Sequence, residues 1–312
     1  MKFIDMHCDT LTVCADNNDD IAVCGLQTNL QSLIKSGYAA QCFAIFTEGA
    51  TAELDFERYL AFYQNALSAH GDIAAPVLNC ADLERCWREG RLGCILTVEN
   101  LSFTGGDISR LARLKSAGVK MASLVWNNAN AFAYPNLIME NGLPRFEKRE
   151  GRGLTALGRA AAERLDELKI IIDISHLSDG GALELLDGRK IPLVASHSNA
   201  EGECAVSRNL TDGLIKKIAA CGGVVGVNYC ADFLGGEAFE SVLRHINYLI
   251  KVGGEDLVAL GSDFDGIPQV ENLETCARIP ALFNYLHDNG IPHKILEKLA
   301  YKNFLRVFSH FG

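Results

Sequence analysis

The chain alternates between short unbroken apolar runs and longer stretches in which apolar residues recur every three or four positions. The runs are KFIDM (2–6), AAQCFAIF (39–46), GCILTV (93–98), KMASLVW (120–126), KIIIDI (169–174), PLVAS (192–196), GVVGVN (223–228) and LVALG (257–261). Most read as strands buried on both faces, because a half-exposed strand would alternate apolar and polar side chains. The stretches between them predict helices. TAELDFERYLAFYQNALSAH (51–70) and DISRLARLKSAG (107–118) are amphipathic, the second stopping at Gly118. TALGRAAAERLDELK (155–169) starts at a Thr155 cap. VENLETCARIPALFNYLHDNG (270–290) reads as a loop followed by a helix, and HKILEKLAYKNFLRVFSHF (293–311) as a closing helix.

Strands that alternate with helices pair in parallel through right-handed crossovers. Eight such units predict an α/β fold, a closed (β/α)8 TIM barrel with a C-terminal helical extension, formed as a single domain over residues 1–312. A doubly wound open sheet is the alternative. It would more often show a Gly-rich phosphate loop after the first strand, where this chain has HCDT.

The C-terminal ends of barrel strands converge on one mouth. The residues expected there are His7 and Asp9, Glu99, Trp126, His176, His197, Asn228 with Tyr229, and Asp263 with Asp265. His7 and Asp9, two apart at a strand end, share a face. The other five histidines (His70, His245, His287, His293 and His310) fall in helical or tail segments and read as exposed or capping residues. Singly, each rim residue has an ordinary structural role, and SDFDG alone is a common turn pattern. Three imidazoles and four carboxylates at one rim are costly to bury without a metal or ion pairs.

His7, Asp9, Glu99, His176 and His197 make five nitrogen and oxygen ligands. A catalytic zinc takes about three protein ligands plus water, so five suit two ions sharing one carboxylate. No thiolate is involved. Zn2+ is the default for such a site, and Mn2+, Co2+ and Fe2+ are chemically admissible. Two close divalent ions hold a hydroxide and polarise a carbonyl, and Asp263 is placed to pass on a proton. That chemistry suits hydrolysis of an amide, an ester or a lactone.

Composition narrows the partners. The net charge of −10, with no Lys/Arg cluster, argues against nucleic acid. Hydrophobic content of 48% is ordinary for a globular chain. No apolar stretch is long enough to span a bilayer, and no secretory leader is read before His7, so a cytoplasmic location is expected. The 11 scattered cysteines include no C-x-x-C pair and read as free thiols in a reducing compartment. Cys42, Cys94 and Cys221 lie in apolar runs, and Cys8, between His7 and Asp9, is a candidate reactive thiol.

The motifs FIDMHCDT, GLTALGR, IIIDISHLS, SHSNA, SRNLTD and GSDFDG, in that order over nearly the whole chain, resemble the membrane (renal-type) dipeptidases of the amidohydrolase superfamily. The resemblance implies a (β/α)8 barrel with a binuclear zinc site. It makes His7 and Asp9 ligands of the first ion, Glu99 the bridge, and His176 and His197 ligands of the second. It makes Arg208 the residue that binds the carboxylate of the dipeptide, Asp263 the acid/base and Asp265 a supporting residue. The reaction implied is hydrolysis of a dipeptide with a free C-terminal carboxylate, D-residues at that position included. Two alternatives keep the same site: action on a lactone or non-peptide amide, or a metal-stabilised binding protein without turnover. Trp126 stands where many family members carry a His, which puts Asn127 or Asn128 forward as donors. Asn100-Leu101 also departs from the usual Gly or Glu-Gly after the bridging Glu. Homodimers occur in the family, and no segment here marks an interface.

Overall fold

The computed structural model describes residues 1–146, 152–236, 238–268 and 271–312. Its strands are β1 (Phe3–Asp5), β2 (Tyr38–Phe46), β3 (Ala74–Pro76), β4 (Leu92–Glu99), β5 (Met121–Ser123), β6 (Ile138–Glu140), β7 (Leu143–Arg145), β8 (Ile171–Asp173), β9 (Val194–Ala195), β10 (Val224–Val227) and β11 (Val258–Leu260). The main sheet runs β2-β1-β11-β10-β9-β8-β5-β4, and a further β2–β4 pairing closes it into an eight-stranded barrel. β3 pairs in parallel with the N-terminal end of β4, Leu92–Cys94. Every pairing in this sheet is parallel, as strand–helix alternation requires. β6 and β7 form a separate antiparallel hairpin.

All eight apolar runs are barrel strands, mostly trimmed by a residue or more. β4 is buried along its whole length, and β2 at every residue but its last. That is why the sequence shows no alternation there: one face meets the barrel interior and the other meets the helices. The interior is filled by Ile4, Ala40, Cys42, Ile95, Met121, Ile171, Val194, Val224 and Ala259. The closing helix is present as Asn303–Phe311, preceded by His293–Glu297 and a five-residue π turn, Lys298–Lys302. Phe304, Val307, Phe308 and Phe311 join the interior cluster and plug the end of the barrel opposite the mouth. The other expected helices appear at Ala52–Ala69, Ala112–Ala117 with Gly118 in the left-handed region, and Ala156–Glu167, where the Thr155 hydroxyl accepts from Gly158 N. Ile279–Asp288 is the helix expected within 270–290, of which residue 270 lies outside the described residues.

Two expectations need correction. His245 is neither exposed nor a cap: it is fully buried on helix Ala238–Gly253. Its Nδ1 accepts from Ala200 N at 3.2 Å and its Nε2 lies 3.1 Å from Leu234 O. The spacing held the clue, since 242, 245, 246 and 249 form the buried stripe of that helix. Cys8 is not a reactive thiol. It is fully buried, its Sγ donates to Cys42 O at 3.5 Å, and burial pushes its pKa up. All 11 cysteines are free.

Candidate metal centre and active site

The mouth of the barrel encloses a cavity of about 400 Å³. Of the expected rim residues, Asp9, Glu99, Trp126, His176, Arg208, Asp263 and Asp265 line it directly, and His7 and His197 sit buried immediately behind the lining. Tyr229 does not line it. Its ring is buried edge-on to Phe264, with centroids 6.0 Å apart.

Four strand ends bring the five candidate ligands together. His7 Nε2 lies 3.5 Å from Asp9 Oδ2, 3.8 Å from Glu99 Oε2 and 3.7 Å from Asp263 Oδ1. The other oxygen of Glu99, Oε1, lies 3.0 Å from His176 Nε2 and 3.5 Å from His197 Nε2. Glu99 therefore stands between two groups of donors, with one oxygen toward each. The His176 and His197 Nε2 atoms face each other at 2.9 Å.

The backbone is bent to achieve this. Asn100, His176, Asp263 and Asp265 all have φ between 61° and 72°. Such conformations are uncommon for residues with a Cβ and concentrate at functional sites. Gly266 is required by crowding: a Cβ there would sit 2.1 Å from Asp9 Oδ2 and 2.6 Å from Asp263 Oδ1.

The donor set fits divalent cations. Among the described residues, His7 Nε2 and Glu99 Oε1 are buried without a hydrogen-bond partner, which is costly unless something satisfies them. His7, Glu99 and His197 offer ligand atoms within 4.8 Å of one another, as do His7, Asp9 and Asp263. The electrostatics ask for positive charge at the same place. Burial opposes a proton on His7, but Glu99, Asp9 and Asp263 outweigh it and hold the pKa at about 10. Burial, with Asp9 and Asp263 beside it, pushes Glu99 well up. His176 and His197 go the other way, lowered by burial and by Arg208 and His7, and so are neutral imidazoles with lone pairs to share.

Around these ligands sit residues that orient them. Asn127 Oδ1 is 2.8 Å from His176 Nδ1. Asn228 Nδ2 donates to Asp263 Oδ2 at 2.8 Å, leaving Oδ1 toward the cavity. Asn128 turns away and donates to Glu48. Asp265 is occupied by the rim: it accepts from Thr10 Oγ1 at 2.5 Å and from Gln27 N at 2.7 Å. Trp126 packs edge-on to Phe46 at 4.8 Å, between that ring and His176.

Arg208 is only 2% exposed, an unusual place for a cation. Its Nη2 donates to His176 Nε2 at 3.1 Å and to His197 O at 3.3 Å, and its guanidinium carbon lies 5.2 Å from the Phe233 ring centre. Among the described residues its Nη1 has no hydrogen-bond partner. Neither Gly266 nor Asn228 has a role that the chain's local pattern assigns. Asn228 carried a signal, since it falls at the end of an apolar run; Gly266 carried none beyond its place after SDFD.

A closed parallel barrel with imidazoles and carboxylates gathered around unpartnered buried atoms at its mouth is the architecture of a metal-dependent barrel enzyme. The model of the membrane dipeptidase family (peptidase family M19) matches residues 1–311, and the chain belongs to that family. An uncharacterized protein in the pqqA 5' region of Klebsiella pneumoniae is 37% identical over 240 residues, 75% of this chain and 87% of that protein. An uncharacterized dipeptidase of Schizosaccharomyces pombe is 32% identical over 240 residues, and the match spans only 56% of its length. Among solved structures, a metallopeptidase from Rhodobacter sphaeroides, liganded with a phosphinate mimic of the dipeptide L-Ala-D-Ala, superposes with a TM-score of 0.89. It is 26% identical, and the match covers 100% of this chain and 99% of that one. A metallopeptidase named dipeptidase AC also superposes at 0.89, with 28% identity over 100% of this chain and 98% of that chain. Among the described residues no helix is long and apolar enough to cross a membrane.

Proposed function

We propose that the chain is a dipeptidase that holds two divalent ions, Zn2+ fitting best, and cleaves dipeptides with a free C-terminal carboxylate. The observation that carries this reading is Arg208: a buried guanidinium whose Nη1 has no hydrogen-bond partner among the described residues, in the same cavity as the candidate ligands. An unpaired buried cation is expensive, and a carboxylate that accepts from Nη1 offsets the cost. His7 and Asp9 would hold one ion and His176 and His197 the other, with the Glu99 carboxylate available to both. The L-Ala-D-Ala mimic bound by the Rhodobacter relative supports acceptance of a D-residue at the C-terminal position.

When bound, the ions supply an activated water and polarise the scissile carbonyl. Everything else falls to the protein. Arg208 fixes the C-terminal end of the substrate, which sets the peptide bond against the ligand cluster. Asp263, held by Asn228 through Oδ2, takes a proton from the attacking water on Oδ1 and gives it to the leaving amine. Trp126 and Phe46 wall one side of the cavity, their rings edge-on with centroids 4.8 Å apart, where many family members carry a His at the position of Trp126.

Arg208→Ala tests the reading. KM for a dipeptide should rise by about 10²-fold, the scale of losing one partner of a buried charge pair. KM for the same dipeptide with an amidated C-terminus should change by less than about threefold, because uniform binding of a carboxylate is what was removed. Equal rises for both substrates would contradict it.

A further inference from the structure

We propose that Asp173 and Ser196 are positioning residues, which together commit His197 to the tautomer that presents Nε2 as a lone pair. This rests on the two-ion reading above. Neither residue touches the cavity, and both are buried.

The assignment comes from counting protons. Asp173 Oδ1 accepts from Ser175 N and Ser196 N, both at 2.9 Å. Its Oδ2 faces Ser196 Oγ at close range. A carboxylate has no proton to give, so the single hydroxyl proton of Ser196 points to Asp173. Ser196 Oγ is also 2.8 Å from His197 Nδ1 and 3.3 Å from Ser175 Oγ. Having spent its proton, Ser196 can only accept from both. Ser175 in turn accepts from His197 N at 3.2 Å, leaving its own hydroxyl proton for Ser196. Every donor then has one acceptor, and the balance holds only if Nδ1 of His197 carries the ring proton. Nε2 is left bare, facing Glu99 Oε1 at 3.5 Å and His176 Nε2 at 2.9 Å. A carboxylate or hydroxyl behind a ligating imidazole raises its basicity and fixes its angle.

The reverse arrangement is what an amide produces. In Asp173→Asn, the oxygen keeps the two backbone N–H groups and the new N–H2 donates to Ser196. Ser196 then turns its proton to Nδ1, and the ring proton moves to Nε2, where it blocks the metal.

The test is titration of metal-free protein with Zn2+ against a chromophoric chelator, with the melting temperature of each metal-free variant as a control. Wild type should take up two ions. Asp173→Asn and Ser196→Ala should each weaken one ion by 10- to 100-fold, the usual scale for such partners, and the other by less than about threefold. Ser196→Thr, which keeps the hydroxyl, should return to within about threefold of wild type. Unchanged affinity for both ions in Ser196→Ala, or equal weakening of both, overturns the assignment. So does a Thr variant as weak as the Ala one. If Asp173→Asn does not fold, the Ser196 pair decides alone. A wild type that binds fewer than two ions fails the metal reading and not the relay.

Discussion

At the scale of single residues, the mouth is organised by contacts too close to leave slack. A methyl group at position 266 would overlap both Asp9 Oδ2 and Asp263 Oδ1, at 2.1 and 2.6 Å. Gly266→Ala should therefore push the two carboxylates apart and lower metal affinity by about 10-fold or more, measured by chelator competition. Asp263→Asn keeps the shape and its contact with Asn228 but cannot carry a proton. It should reduce kcat by about 10²- to 10⁴-fold, the worth of general acid–base catalysis, while the protein still takes up about two ions. Activity that survives unaltered would remove Asp263 from the proton path. His245 gives a pH signature remote from the site. Burial lowers its pKa from 6.5 to about 4. Above pH 6.5 the ring is neutral whether the chain is folded or not. Below that, the unfolded chain takes up a proton that the folded chain refuses. Stability falls between pH 6.5 and 4 and then levels, by about 3 kcal/mol from this group. Urea unfolding across that range should show this decline in wild type and not in His245→Asn, as a difference between the two curves.

At the scale of elements, the rim is stitched to the barrel by Asp265. It accepts from Thr10 Oγ1 and Gln27 N, and its own N–H donates to Gln27 Oε1 at 2.7 Å. Asp265→Ala removes the two acceptor bonds made by its side chain, at a cost of about 1–3 kcal/mol for the donors left behind. Hydrogen exchange should quicken in residues 18–29 and not in β2 or β4; uniform quickening would mean a global loss of stability instead. The strands were legible because barrel strands are buried on both sides, and so KIIIDI or GCILTV reads without ambiguity. Their ends were less so. KMASLVW shrinks to Met121–Ser123, since Leu124–Trp126 turn into the mouth as loop. The β6–β7 hairpin was not legible: its residues are half-buried or exposed and lack an apolar run. The Asp265–Gln27 tether joins residues 238 apart, and no local pattern records it. Candidate ligands could be placed because they sit at strand ends, where topology alone brings them to one rim. Asn228, Gly266 and the Asp173–Ser196 pair act through contacts that only three-dimensional packing creates.

At the scale of the whole molecule, four strand ends from across the barrel meet at one cluster: His7 after β1, Glu99 on β4, His176 after β8 and His197 after β9. Ions held there would bind the closed barrel and not the unfolded chain. Removing them should cost about 4 kcal/mol per ion at a thousandfold excess over Kd, about 8 kcal/mol for two, a fall in Tm on the order of 10 °C that restoring Zn2+ reverses. The most direct test of the central claim counts the ions. Elemental analysis of the purified, folded chain, after equilibration with Zn2+ and removal of the excess, should find about two per chain, as a five-ligand cluster with a shared carboxylate requires. In the His7→Ala, His176→Ala double variant, content should fall below about 0.2. A folded wild-type chain that takes up one ion or none would contradict the account.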